Sequence, residues 1–470
     1  MTGHRIHPSS SNNNGPFFHR GYRKKTRRST AAGARRNVLL IRQGIVSVCF
    51  VLWIVKELFG VEVARSRSEG IQRRLRASYD PSSSAKALRS EKRITFEKNF
   101  AGAPGCEGER IDSWKSISFT LVTQTSENRL WMLEEFCSVW QGDLSVAVFT
   151  NRTSYSIIER VKNMGCSIER VNVILLPPEG HHMGEEALQQ YPVNKLRNLA
   201  LAQVKTSHFL YLDIDFWPSP DLQAVLEADQ MRRQIALLGV KVAFVVPVFQ
   251  LMRQCGATDH CRPANILAMP RKRLSLVRKI KTRSVFQFDP SNYGGHGSTR
   301  YVDWVNQSPT EILEIPCVKS DRYEPYVVAR YCNELPPFQE VFEGYGRNKM
   351  TWIMQLRRMG YRFFQISSFA CHYPHQQSAT RRLWNGNKNG KQLARPKNDE
   401  GTDFTTFSRG QVDLKYLEFK KWLLENVTDE TRVPKCATAK DDDVDNLWIS
   451  KQEANNYRRL FEQLQQHGVE

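Results

Sequence analysis

The chain has no cysteine pair at zinc-site CxxC spacing and no internal repeat, and its first 36 residues contain no Asp or Glu. The missing CxxC spacing excludes a zinc ribbon or finger. No long apolar run stands free of charge either. Residues 44–55 (GIVSVCFVLWIV) are uncharged but number only twelve, short of the roughly 20 that a bilayer-spanning helix needs. The acid-free start governs the charge balance. Of a net +20 over 470 residues, 20 Lys and Arg against 5 acids fall before residue 96, so only about +5 belongs to the rest. Most of the positive charge thus belongs to a leader, which argues against a nucleic-acid-binding protein.

The leader, rich in Arg, Ser, Asn and Gly without an amphipathic period, reads as a disordered cytoplasmic tail over 1–37. Extending the apolar stretch to 38–63 gives a transmembrane signal anchor, with Arg42, Lys56 and Glu57 near its ends, where long side chains snorkel. Nine Lys and Arg precede it, which keeps the N-terminus cytoplasmic and makes everything after it lumenal. A cleaved signal peptide and a mitochondrial transit peptide are the competing readings of this start. Residues 64–112, charged and rich in Ser, have the composition of a stem. A catalytic domain over 113–435 and a tail over 436–470 complete the layout. In that tail the acids Asp441–Asp443 and Asp445 read as a solvated run, followed by a helix at 451–465.

Nine cysteines follow the anchor, an odd count that leaves one unpaired. In a lumenal compartment some form disulfides, with Cys255–Cys261 a local bridge, whereas Cys166 and Cys371 sit in apolar patterns that suit reduced core thiols. Asn151 and Asn426 head glycosylation sequons, and Asn306 heads a weaker one followed by Pro309.

From residue 117, strands alternate with helices. Strands are expected at 117–123, 144–150, 171–176, 208–212, 242–248 and 361–366, and helices at 129–140, 155–164, 194–204 and 350–358. This spacing means βαβ units and a mostly parallel sheet with a nucleotide site at its C-terminal rim. One strand, FLYL, runs into Asp213-Ile214-Asp215. Strand alternation at i and i+2 predicts both carboxylates on one side, where paired hard oxygens suit Mg²⁺ or Mn²⁺ bridging the phosphates of a nucleoside diphosphate. An Asp pair that merely caps the next helix is the bland alternative. The run Cys371-His372-Tyr373-Pro374-His375 offers an imidazole, His372, as third ligand.

Residues 191–218 (YPVNKLRNLALAQVKTSHFLYLDIDFWP) resemble the signature of glycosyltransferase family 49. Further matches follow in order at 323–328 (YEPYVV), 342–349 (FEGYGRNK) and 372–375 (HYPH), so the resemblance covers roughly 115–380. Members of that family include glucuronyltransferases that build the matriglycan of dystroglycan. The resemblance implies a GT-A type Rossmann-like mixed sheet with flanking helices, an inverting mechanism, Mn²⁺, and a UDP-sugar donor, with UDP-glucuronate the best known. It implies a glycan or glycoprotein acceptor in the Golgi lumen. On matching positions, Asp213, Asp215 and His372 would hold the metal, while Asn194, Arg197 and Asp213 would lie near the nucleotide-sugar. A helix-surface salt bridge remains the other reading of Arg197. Inversion needs a base, usually a carboxylate. After the Gly344-Tyr-Gly346 turn many GT-A enzymes carry an acidic pair, but here Arg347-Asn348-Lys349 stands instead. Glu343 and Glu324 are the candidate bases, with Asp303 behind them. Transfer of xylose, galactose or N-acetylglucosamine, and a non-catalytic glycan-binding protein on the same fold, stay open.

Overall fold

The computed structural model describes residues 94–106, 113–179, 191–255, 259–290, 292–375 and 404–437. The expected cytoplasmic tail, membrane anchor, acidic run and C-terminal helix lie outside the described residues. Among the described residues no helix is long and apolar enough to cross a membrane.

The strands among them are β1 Phe119–Ser126, β2 Asp143–Phe149, β3 Val171–Leu176, β4 His208–Tyr211, β5 Phe216–Pro218, β6 Val242–Val246, β7 Val248–Leu251, β8 Val285–Gln287, β9 Leu313–Ile315, β10 Tyr326–Arg330, β11 Arg362–Gln365 and β12 Ala370–His372. They form one sheet in the order β3-β2-β1-β4-β10-β6-β11-β9 and a smaller one in the order β5-β12-β7-β8. In the large sheet β3, β2, β1 and β4 run parallel, as do β6 and β11. β10, inserted between β4 and β6, and β9 at the edge run antiparallel. The result is a mixed α/β sheet with flanking helices. Every residue of β1, β4 and β6 is buried, because helices and loops cover both faces.

Helix Val193–Leu201 crosses from β3 to β4 and packs on β1 and β2 through Leu196, Ala200 and Leu201. Helix Ser154–Asn163 starts where the Thr153 hydroxyl accepts from the Ser156 amide and buries Ile157 and Val161. The helix expected at 129–140 is two pieces, a 3₁₀ turn Glu127–Met132 and an α-helix Leu133–Val139. The strand expected at 242–248 also divides. Pro247, which has no N–H for a ladder, separates β6 in the large sheet from β7 in the small one. Their parallel partners β11 and β12 make the same transfer across residues 366–369. This double crossing carries the chain from the structural sheet to the rim where the site lies.

Four disulfides form: Cys106–Cys332, Cys137–Cys166, Cys255–Cys261 and Cys317–Cys436. The Cys255–Cys261 bridge agrees with expectation, and among the described residues buried Cys371 is the free thiol. Cys166 is not a reduced core thiol. It ends the turn after helix Ser154–Asn163, 5.1 Å at Cα from Cys137 on the neighbouring helix, a fit that apolar patterning could not reveal. Residues 94–106 pack against the domain, with Phe100 buried and its amide donating to the Leu335 carbonyl at 2.7 Å. A long helix, Phe404–Asn426, adds Phe419 to the core beside Phe342 and Phe96.

Buried His208 on β4 sets a pH dependence. Burial, aided by the Arg330 charge, lowers its pKa to about 3. The unfolded chain takes up that proton below about pH 6.5. The folded chain does not until about pH 3, so the native state loses stability as pH falls through that window. The loss is about 1.4 kcal/mol per pH unit for one such group. His208→Gln is expected to flatten the fall of the thermal midpoint between roughly pH 6.5 and 4; an unchanged slope in a pH series of melts would refute this origin.

Candidate active site

Where β4 ends, at Tyr211, the chain turns. The Phe216 amide donates to the Asp213 carbonyl at 2.8 Å, so Asp213 and Asp215 lie in a turn rather than on a strand. The expected alternation therefore does not govern where their side chains go. Asp213 turns inward. Its Oδ1 accepts from Arg197 Nη2 at 3.1 Å, from Gln124 Nε2 at 3.2 Å and from the Tyr211 hydroxyl, while Oδ2 accepts from the Tyr326 hydroxyl at 2.6 Å. Lys349 Nζ stands 3.9 Å from Oδ2.

Asp215 faces a different group. Antiparallel pairing of β5 with β12 sets His372 opposite Phe216, and the Tyr373 amide donates to the Asp215 carbonyl at 2.8 Å. That register brings His372 Nε2 to 3.8 Å from Asp215 Oδ2. A tight turn at Pro374, closed by the His375 amide donating to the Tyr373 carbonyl at 2.8 Å, swings His375 back so that its Nε2 lies 2.6 Å from the same oxygen. Asp215, His372 and His375 place one ligand atom each within 4.8 Å of one another. One carboxylate oxygen and two imidazole nitrogens form a mixed set that fits a divalent ion such as Mn²⁺. Arg129 lies alongside, 3.6 Å from Asp215 and 3.0 Å from His375 Nδ1. The rings of Phe216 and Phe288, 5.0 and 5.1 Å from His372, wall the cluster. Burial alone would raise the Asp215 pKa. The His375 hydrogen bond and the charges of His375, His372 and Arg129 outweigh it and hold the carboxyl far below its ordinary range.

Arg197 does not lie on a helix surface. Buried to 4% exposure, it also donates from Nε to the Tyr211 hydroxyl at 2.6 Å and from Nη1 to Asn194 Oδ1 at 2.9 Å. Asn194 is fully buried and donates to the Gln339 carbonyl at 2.8 Å, so it meets the cleft through Arg197. Glu324, whose side chain is about a third exposed, stands 4.0 Å from His296 Nε2, and burial raises its pKa. Glu343 is exposed, and so is Asp303, paired to Arg300 at 2.8 Å. The turn before Lys349 uses positive φ at Gly344 and Gly346, 65° and 102°, which glycine permits. Lys349 is buried, with Nζ 3.5 Å from the centre of the Tyr326 ring.

Sequence reasoning brought Asp215 and His372 together but passed over His375, Lys349, Tyr326 and Arg129. His375 stood in the same run as His372, and Lys349 occupies the place where an acid was sought.

Comparisons with known proteins cover the same part of the chain. The model of the family described as glycosyl-transferase for dystroglycan matches residues 162–397, which contain Asp213, Asp215, His372 and His375. The chain is 28% identical over 305 residues to the xylosyl- and glucuronyltransferase LARGE1 of Homo sapiens, covering 64% of this chain and 37% of that protein. It is 32% identical over 263 residues to LARGE2 of Rattus norvegicus, covering 55% and 35%. The chain thus spans little more than a third of the length of these relatives. Among solved structures, a mannosyltransferase from Pyrobaculum calidifontis with GDP-Man and Mn²⁺ aligns at a TM-score of 0.28 and 12% identity over 73% of this chain and 71% of that one, too remote to bear on the site. With half of its length matched by the family model, the chain belongs to glycosyltransferase family 49.

Proposed function

We propose that this chain is a metal-dependent, inverting glycosyltransferase of GT-A type that moves glucuronic acid from UDP-glucuronate to a glycan acceptor in the Golgi lumen. The observation that carries the reading is the convergence of Asp215, His372 and His375 at the rim of a mixed sheet. Four disulfides and the exposed sequon residues Asn151 and Asn426 favour an oxidising, lumenal compartment.

A divalent ion held by those three residues would offset charge on the leaving diphosphate as a Lewis acid. The remaining steps fall to side chains. Arg129, beside the cluster, supplies a fork of donors for phosphate oxygens. Asp213, tied down by Arg197, Gln124 and two tyrosine hydroxyls, fixes the turn that aims Asp215. Lys349 and Arg197 set two buried cations beside one carboxylate, a balance that suits an anionic donor. Among glucuronate, xylose, galactose and N-acetylglucosamine, glucuronate alone brings a further carboxylate. Glu324 takes the proton from the acceptor hydroxyl, and burial raises its pKa and with it its basicity, whereas Glu343 is exposed.

The test is UDP release from a panel of UDP-sugars with Mn²⁺ or with EDTA. UDP-glucuronate with Mn²⁺ is expected to react and EDTA to stop it; turnover in EDTA would defeat the metal reading. Glu324→Gln is expected to lower kcat by about 10²–10⁴-fold with UDP affinity unchanged, whereas Glu343→Gln leaves kcat near wild type. A normal kcat in Glu324→Gln removes it as the base.

A further inference from the structure

Residues 260–288 contain eight Lys and Arg and no Asp or Glu, a local excess larger than the net charge of the whole chain after residue 95. Three of these cations fasten the segment to the domain. Arg262 lies 3.9 Å from the Trp131 ring, Arg271 pairs with Glu135, and Arg273 lies 4.8 Å from the Trp304 ring. The other five, Lys272, Arg278, Lys279, Lys281 and Arg283, form no ion pair with another described residue. Helix Arg273–Lys281 buries Leu276, with Val277 and Ile280 half-buried beside it. At 100° per residue, Arg278 and Lys281 fall on the opposite side, facing solvent. Four of these five, Lys272, Arg278, Lys281 and Arg283, are exposed and make a surface that attracts polyanions.

The segment is joined to the active site. Trp131, under Arg262, lies 5.4 Å from the ring of Tyr373, the residue between the two histidine positions. Arg253, at the segment's approach, donates to the His375 carbonyl at 2.7 Å. β8, which follows the helix, pairs with β7, and β7 pairs with β12, the strand of His372.

We infer that this basic strip docks an acidic glycan acceptor, whose anionic sugars lie along Lys272, Arg278, Lys281 and Arg283 while its end residue enters the cleft. The inference rests on the glycosyltransferase reading above. Nucleic acid fits less well, because residues 260–283 contain no Phe, Tyr or Trp on which a base could stack. A membrane surface fits less well, because Leu267 and Leu274 are the strip's only strongly exposed large apolar side chains among the described residues.

The test compares the full chain with a variant carrying Lys272→Glu, Arg278→Glu, Lys281→Glu and Arg283→Glu. Probes are a glucuronate-containing hexasaccharide, a neutral glucose hexasaccharide, and vesicles of phosphatidylcholine with phosphatidylserine. The variant is expected to bind the acidic hexasaccharide about tenfold more weakly at low salt, with the difference shrinking as salt rises. The neutral hexasaccharide and acceptor-free UDP release should not change. Equal binding of the acidic hexasaccharide by both proteins overturns the inference, as does a loss confined to vesicle binding. A milder variant, Arg278→Gln with Lys281→Gln, gives the same sign of change should the fourfold reversal fail to fold. Binding is read without turnover, so a wild type that releases no UDP would count against the transferase reading alone.

Discussion

Asp215→Ala is expected to lower sugar transfer by about 10³-fold or more, since losing a metal's stabilisation of a leaving diphosphate removes several kcal/mol from the transition state. Asp215 is the one carboxylate in the donor cluster, and both imidazoles depend on it, His375 at 2.6 Å and His372 at 3.8 Å. Without it only two imidazoles remain beside the Arg129 guanidinium, a poor home for a divalent cation. Mn²⁺ affinity, read by electron paramagnetic resonance or calorimetry, should fall with the rate. Folding should survive, because Asp215 stands at a rim and the Tyr373–Asp215 pairing is made by its backbone. Tight Mn²⁺ binding in this variant would mean that the ion is held elsewhere, with Asp213 the next carboxylate to examine. His375→Ala sharpens the comparison: it should weaken Mn²⁺ binding as His372→Ala does, whereas a purely orienting His375 would leave affinity unchanged.

The parts of the fold that were legible in the sequence are those whose burial is continuous. β2, β3 and β4 lie within one residue of expectation at each end, because covered strands read as unbroken apolar runs. Hydrophobicity says nothing about which sheet a strand joins. The run 242–248 therefore read as one strand, although Pro247 marked the break. β5, β8, β9 and β12 have three residues each, too few to show a period, yet β5 and β12 are what set Asp215 beside His372. β10 began inside a quoted motif without being read as a strand, and its antiparallel insertion supplies the Tyr326 hydroxyl to Asp213 across 113 residues. At the site, residue types carried the reading of Asp215 and His372. The choice of His375 as their companion depends on one turn at Pro374, and the inward turn of Asp213 depends on partners that only the folded chain assembles.

Arg197 is the residue whose loss should cost the most stability. Arg197→Met is expected to destabilise the domain by about 3–5 kcal/mol, the usual cost of stranding one member of a buried ion pair. Its guanidinium donates to Tyr211, Asn194, Asn348 and Asp213, and lies 5.1 Å from the rings of both Tyr211 and Phe338. Methionine fills much of the volume but leaves the Asp213 carboxylate with Lys349 at 3.9 Å as its nearest cation. Arg197→Lys keeps the charge and loses the fork, so it should fall between the two. The decisive comparison is Arg197→Met combined with Asp213→Asn. If the stranded anion is the source of the cost, the double variant should be more stable than Arg197→Met alone, in urea unfolding at equal slope. A double variant that loses the sum of the two single effects would assign Arg197 to packing against Tyr211 and Phe338, with Lys349 alone sufficient for the charge of Asp213.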